Sequence, residues 1–74
     1  MEYTEYTIYD KEDRTPVAVA YSVNGSWVVE NLYGGLTQYF DLVGDRTPES
    51  VFADVKHYIE SHFSNEYCYM KRTA

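Results

Sequence analysis

Asn24-Gly25 sits between two runs of alternating apolar residues, and it restricts the fold more than any other feature of the chain. Both residues tolerate a positive φ, so a strand ending near Val23 and one beginning near Ser26 can join in a tight hairpin. Before the turn, Val17, Val19, Tyr21 and Val23 alternate with Ala18, Ala20 and Ser22; after it, Trp27 and Val29 alternate with Val28 and Glu30. A strict two-residue loop sets Tyr21 opposite Val28 and Val19 opposite Glu30. A three-residue loop over residues 23–25, with Gly25 left-handed in a bulge, sets Tyr21 opposite Trp27 and Val19 opposite Val29. A slip of one residue turns every side chain over, so the demand for a single apolar face selects the three-residue loop.

The remaining elements follow from the same periodicities. Residues 3–10 alternate as a first strand, with Thr4, Tyr6 and Ile8 on one side and Tyr3, Glu5, Thr7 and Tyr9 on the other. Residues 26–33 and 36–43 form the third and fourth strands, joined by a two-residue turn at Gly34-Gly35. That turn pairs Asn31 with Gln38, Val29 with Phe40 and Trp27 with Leu42, and places an Asn31–Gln38 amide pair on the core side. Thr47 caps a helix that Pro48 and Glu49 open, by their fit to the first turn and to the helix dipole. Val51, Phe52, Val55, Tyr58, Ile59, His62 and Phe63 then fall in a stripe about 140° wide, opposite Glu49, Ala53, Lys56, His57 and Glu60. Residues 66–71 alternate again and can form a short fifth strand. The expected fold is thus α+β: a four-stranded antiparallel meander with one C-terminal amphipathic helix on the face of Trp27, Val29, Phe40 and Leu42, residues 1–74 making one domain.

Composition narrows the function. Aromatic residues are 18% of the 74, nine of them tyrosines, which suits both a thin core and a contact surface. Twelve acidic residues against six basic leave a net charge of −6, which disfavours direct contact with phosphate backbones or anionic lipid. No apolar run is long enough to span a bilayer and no secretory signal pattern is present, so the cytoplasm is the expected compartment and the Asn24-Gly25-Ser26 sequon reads as a turn. Catalysis is not expected. His57 and His62 lie about 140° apart around the helix and cannot share a metal from there. Cys68 has no base beside it in sequence. Gly34-Gly35 joins two strands, whereas a phosphate loop joins a strand to a helix. Neither cofactor nor metal is implied.

The uncovered side of the sheet is the expected contact surface. On the register above it carries Tyr3, Glu5, Thr7 and Tyr9, a channel of Ala18, Ala20 and Ser22, then Val28, Glu30 and Leu32, and finally Thr37, Tyr39, Asp41 and Val43. Tyrosine and carboxylate complement arginine and lysine through cation–π contacts and charge-assisted hydrogen bonds. Tyr3, Glu5, Tyr9, Glu30, Tyr39 and Asp41 are therefore the expected partner-binding residues, the partner being a protein with a basic surface. A homodimer through the same face, as in a self-associating structural or regulatory module, is the alternative.

With its Asn24-Gly25-Ser26 hairpin, second hairpin and Thr47-Pro48-Glu49 helix, the chain resembles small acidic phage-encoded inhibitors of bacterial defence, anti-CRISPR proteins in particular. That resemblance implies a non-catalytic inhibitor acting in the host cell cytoplasm. Its partner would be a host nucleic-acid-handling complex, whose basic surface it blocks by steric cover.

Overall fold

The computed structural model describes residues 3–74. Its elements in chain order are β1 (Tyr3–Asp10), β2 (Pro16–Val23), β3 (Ser26–Asn31), β4 (Gln38–Phe40), α1 (Pro48–His62) and β5 (Cys68–Arg72). All neighbouring strands are antiparallel, in the order β4-β3-β2-β1-β5. The meander β1–β4 runs outward across the sheet. The chain then returns through α1 over one face and adds β5 beside β1, so the expected fifth strand forms.

The hairpin register differs from the expectation. Asn24 (φ 55°) and Gly25 (φ 88°) both take positive φ, the signature of a two-residue turn whose twist matches the flanking strands. Tyr21 consequently pairs with Val28, Ala20 with Val29 and Ser22 with Trp27. The side of β2 that faces the helix is Ala18, Ala20 and Ser22, all buried, while Val19, Tyr21 and Val23 point to the other face. Space explains the inversion. Tyr6, Trp27 and Phe52 form a triangle of ring contacts from β1, β3 and α1, with centroids 5.2–6.0 Å apart. With those rings filling the layer, small side chains on the strand between β1 and β3 let the helix approach.

The second connection also differs. Asn31 ends β3, and its side chain accepts the Tyr33 amide (3.0 Å), turning the chain out of the ladder before Gly34-Gly35. Residues 32–37 form a loop, β4 is only three residues long, and Trp27 pairs with Phe40, Val29 with Gln38. A shift of two keeps each side chain on its expected face, so Phe40 still packs on the core. The Asn31–Gln38 pair does not form, since Asn31 is spent on the loop and pairs with Ala18. Leu42 lies beyond β4 yet reaches the core: its amide donates to Ser26 Oγ (3.0 Å) and its side chain closes over Gly25.

Helix α1 forms as its sequence signals indicate. Thr47 caps it, and Ser50 completes a capping box by accepting from the Thr47 amide, a device that typically contributes about 1 kcal/mol. Val51, Val55 and Ile59 are buried against Ile8, Ala18, Ala20, Trp27 and Val29, and Phe52, Tyr58 and Phe63 flank them. His62 falls outside the buried stripe. It is exposed, stacked on Tyr58 at 4.0 Å, with Nδ1 3.0 Å from the Tyr58 carbonyl oxygen.

The register yields a direct test. Ala20→Val should destabilise the fold by about 1–3 kcal/mol, because a buried alanine site has no room for two more methyl groups. On the register with Ala20 facing solvent, the same change would be neutral or mildly favourable for a strand. Urea denaturation midpoints separate the two.

Candidate functional site

With one helix on one side, the sheet presents its other face to solvent, and alternation along the paired strands arranges that face in rows. One row reads Tyr39, Val28, Tyr21, Glu5 from β4 to β1; the next reads Glu30, Val19, Thr7, Lys71 from β3 to β5. Tyr3 and Val23 pair above these rows, and Tyr9 and Tyr69 pair below them. Val17 lies at a bulge, where β2 gains a residue against Ile8 and Tyr9.

Of the six expected contact residues, Tyr3, Glu5, Tyr9, Glu30 and Tyr39 lie on this face. Asp41 follows the last residue of β4, so the ladder does not place it there. Leu32, Thr37 and Val43 likewise belong to connections. Ala18, Ala20 and Ser22 are removed from the face by the two-residue turn and replaced by Val19, Tyr21 and Val23. The surface is accordingly more apolar and more aromatic than the sequence reading made it. Tyr69, Lys71 and Thr73 join it through β5 and its continuation, where Thr73 and Ala74 hydrogen-bond to the Glu5 backbone. The period-two pattern of Tyr67 and Tyr69 signalled a strand, but not that it would pair beside β1.

Both carboxylates on the face are held in place. Glu5 accepts from the Tyr3 hydroxyl (2.9 Å) and the Thr73 hydroxyl (2.6 Å), and the Thr73 oxygen also lies 3.0 Å from the Thr7 hydroxyl. Hydrogen bonds from Thr73 first, and from Tyr3, hold the Glu5 carboxyl below its ordinary pKa. Glu30 accepts from the Tyr21 hydroxyl (2.9 Å). The same bonds to carboxylates raise Tyr3 and Tyr21 above the usual tyrosine value. Ring stacking stiffens the layer, Tyr3 on Tyr21 at 6.4 Å and Tyr9 on Tyr69 at 5.2 Å. Lys71 is the one cation in these rows. Among the described residues the ion pair present is Arg46–Asp54, at the start of the helix and away from this face.

Other features offer less chemistry. A mainly apolar hollow of about 90 Å³ lies between α1 and β5, lined by Ile8, Ile59, Phe63, Cys68 and Met70. That is well below the ~300 Å³ at which small-molecule pockets begin. Two hollows are larger, about 240 Å³ beside Asn31, Leu36 and His62 and about 360 Å³ among Lys11, Glu12, Glu66 and Tyr67, the larger one formed mainly by exposed charged side chains. Among the described residues no group of three His, Cys, Asp or Glu side chains is placed to hold a metal, and no helix is long and apolar enough to cross a membrane. Comparison with protein-family models, with curated proteins and with solved structures finds no match.

The Glu5 contacts have a defined pH dependence. Its pKa is lowered in the fold, so the stability it contributes is complete above the unfolded value of about 4.3 and declines as pH falls through the lower folded value. Amide exchange at Thr73 and Ala74 should therefore accelerate, relative to the central strands, as pH drops below about 4. Glu5→Gln should abolish most of that pH-specific loosening.

Proposed function

We propose that this chain is a non-catalytic binding protein that lays its uncovered sheet face on a basic surface of another protein. The observation that carries this reading is the pair of carboxylates, Glu5 and Glu30, each held by a tyrosine hydroxyl within a layer of tyrosine and valine. Such a layer desolvates a partner's guanidinium or ammonium groups while offering them preorganised acceptors and ring faces. The net charge of −6 steers the same class of partner toward the molecule. Consistent with the resemblance to phage-encoded inhibitors, the partner we propose is a nucleic-acid-handling complex of a bacterial host, inhibited by cover of its nucleic-acid-binding surface.

Interfaces concentrate their energy in a few aromatic and charged anchors. Once a basic partner has been captured from a bacterial lysate, Tyr9→Ala/Tyr39→Ala should weaken its binding by about 2 kcal/mol or more. Glu49→Lys/Glu60→Lys, on the outer helix face, should leave affinity within about threefold, because rim charges act mainly on association rate. Calorimetry on the purified pair, with circular dichroism to verify folding, reads both. Loss of binding by the helix variant with normal binding by the sheet variant would place the contact elsewhere.

A further inference from the structure

We propose that the uncovered face is self-complementary and that a second copy of this chain covers it when no foreign partner does. This rests on the reading of that face as the contact surface and concerns its occupant in the isolated protein. In the row Glu30, Val19, Thr7, Lys71, each residue is the ladder neighbour of the next, from β3 through β2 and β1 to β5. A carboxylate stands at one end and an ammonium at the other; between them Val19 is half-buried and Thr7 is buried by its own neighbours. A half-turn about an axis running along the strands between β1 and β2 lays this row on itself in reverse. Glu30 then meets the second copy's Lys71, and Val19 lies above the second copy's Thr7, which its own neighbours already cover.

The adjacent rows obey the same operation. Tyr21 falls over the second copy's Glu5, Val28 over the second copy's Thr73, and Val23 over the second copy's Tyr3. No carboxylate opposes a carboxylate, although each copy carries a net charge of −6. Lys71 forms no ion pair within the chain among the described residues, so its ammonium is available. Face-to-face sheets cross at about 30°; at β5, about 7 Å from the axis, that displaces facing residues by about 4 Å, which a lysine side chain is long enough to follow. Isologous pairing of this kind is the commonest symmetry of protein dimers.

The size of the face sets the strength. Four strands about 4.8 Å apart and three rows about 7 Å apart cover roughly 400 Å² per copy. A standard interface buries about 800 Å² per partner, so this pairing is weak and readily exchanged. It shields Val19, Val23 and Tyr21 from water and yields to a larger basic partner.

Sedimentation velocity of the full chain between about 10 μM and about 1 mM, where an interface of this size exchanges, tests the proposal. The wild type should pass from monomer to dimer. Glu30→Lys and Lys71→Glu should each weaken dimerisation by about tenfold or more, and the double exchange should restore it to within about threefold. Because a swap could disturb folding, mixed labelled and unlabelled wild-type samples supply a second reading: intermolecular NOEs should connect the methyl groups of Val28 and Thr73, which lie three strands apart within one chain. A monomer at every concentration, a double exchange no better than the single ones, or a dimer lacking those NOEs would overturn the proposal. A persistent monomer would leave the foreign-partner reading intact, since that reading stands or falls on the Tyr9→Ala/Tyr39→Ala variant.

Discussion

The turn at Asn24-Gly25 governs everything built around it. Two consecutive residues with positive φ commit the hairpin to a two-residue loop, and that loop sends Ala18, Ala20 and Ser22 under the helix. Gly25 is doubly constrained. Its φ is in the left-handed region, and a Cβ there would stand 2.7 Å from a methyl carbon of Leu42, which folds back over the turn. The link between β4 and the helix is therefore packed on the same dipeptide that sets the register. A change of register at this one turn would exchange the two faces of β2 and with them the nature of the exposed surface.

The core that results is divided unevenly. Aromatic volume comes from Tyr6, Trp27 and Phe52, and branched aliphatic volume from Ile8, Val29, Val51, Val55 and Ile59. β2, lying between β1 and β3, contributes almost none. Large residues meeting small ones across facing positions is how two layers interdigitate without voids. The consequence is on the outside: Val19, Val23 and Tyr21 of β2 are released to the uncovered face, where they form the centre of a surface whose edges carry Glu30 and Lys71. Packing on one side of the sheet thus sets the chemistry of the other.

Much of this was legible in the chain. Strand alternation located β1, β2, β3 and β5, and Thr47, Pro48 and Glu49 marked the helix start. The stripe of Val51, Val55 and Ile59 identified its buried side. The orientation of β2 was not legible from hydrophobicity, because Val17, Val19, Tyr21 and Val23 are the more apolar set and would ordinarily be assigned inward. Local turn chemistry pointed the other way, and it prevailed because the rings of neighbouring elements had already claimed the space. The loop after β3 was hidden for a related reason. Gly34-Gly35 suggests a tight turn, but the Asn31 side chain captures the Tyr33 amide and opens the chain earlier. At the candidate site, Tyr3, Glu5, Tyr9, Glu30 and Tyr39 kept their assigned face because β1, β3 and β4 kept their parity. Tyr21 and Lys71 were missed, the first through the β2 inversion and the second because pairing of β5 with β1 is a contact between distant parts of the chain.

The surface now reads as a tyrosine–valine layer with anchored carboxylates and one available ammonium, all consequences of which way β2 faces. A methyl-resolved NOESY spectrum tests that orientation most directly. The account predicts NOEs from the Ala18 and Ala20 methyl groups to methyl groups of Val51, Val55 or Ile59, and none from Val19 or Val23 to the helix. Helix contacts from Val19 and Val23, with Ala18 and Ala20 showing none, would contradict it.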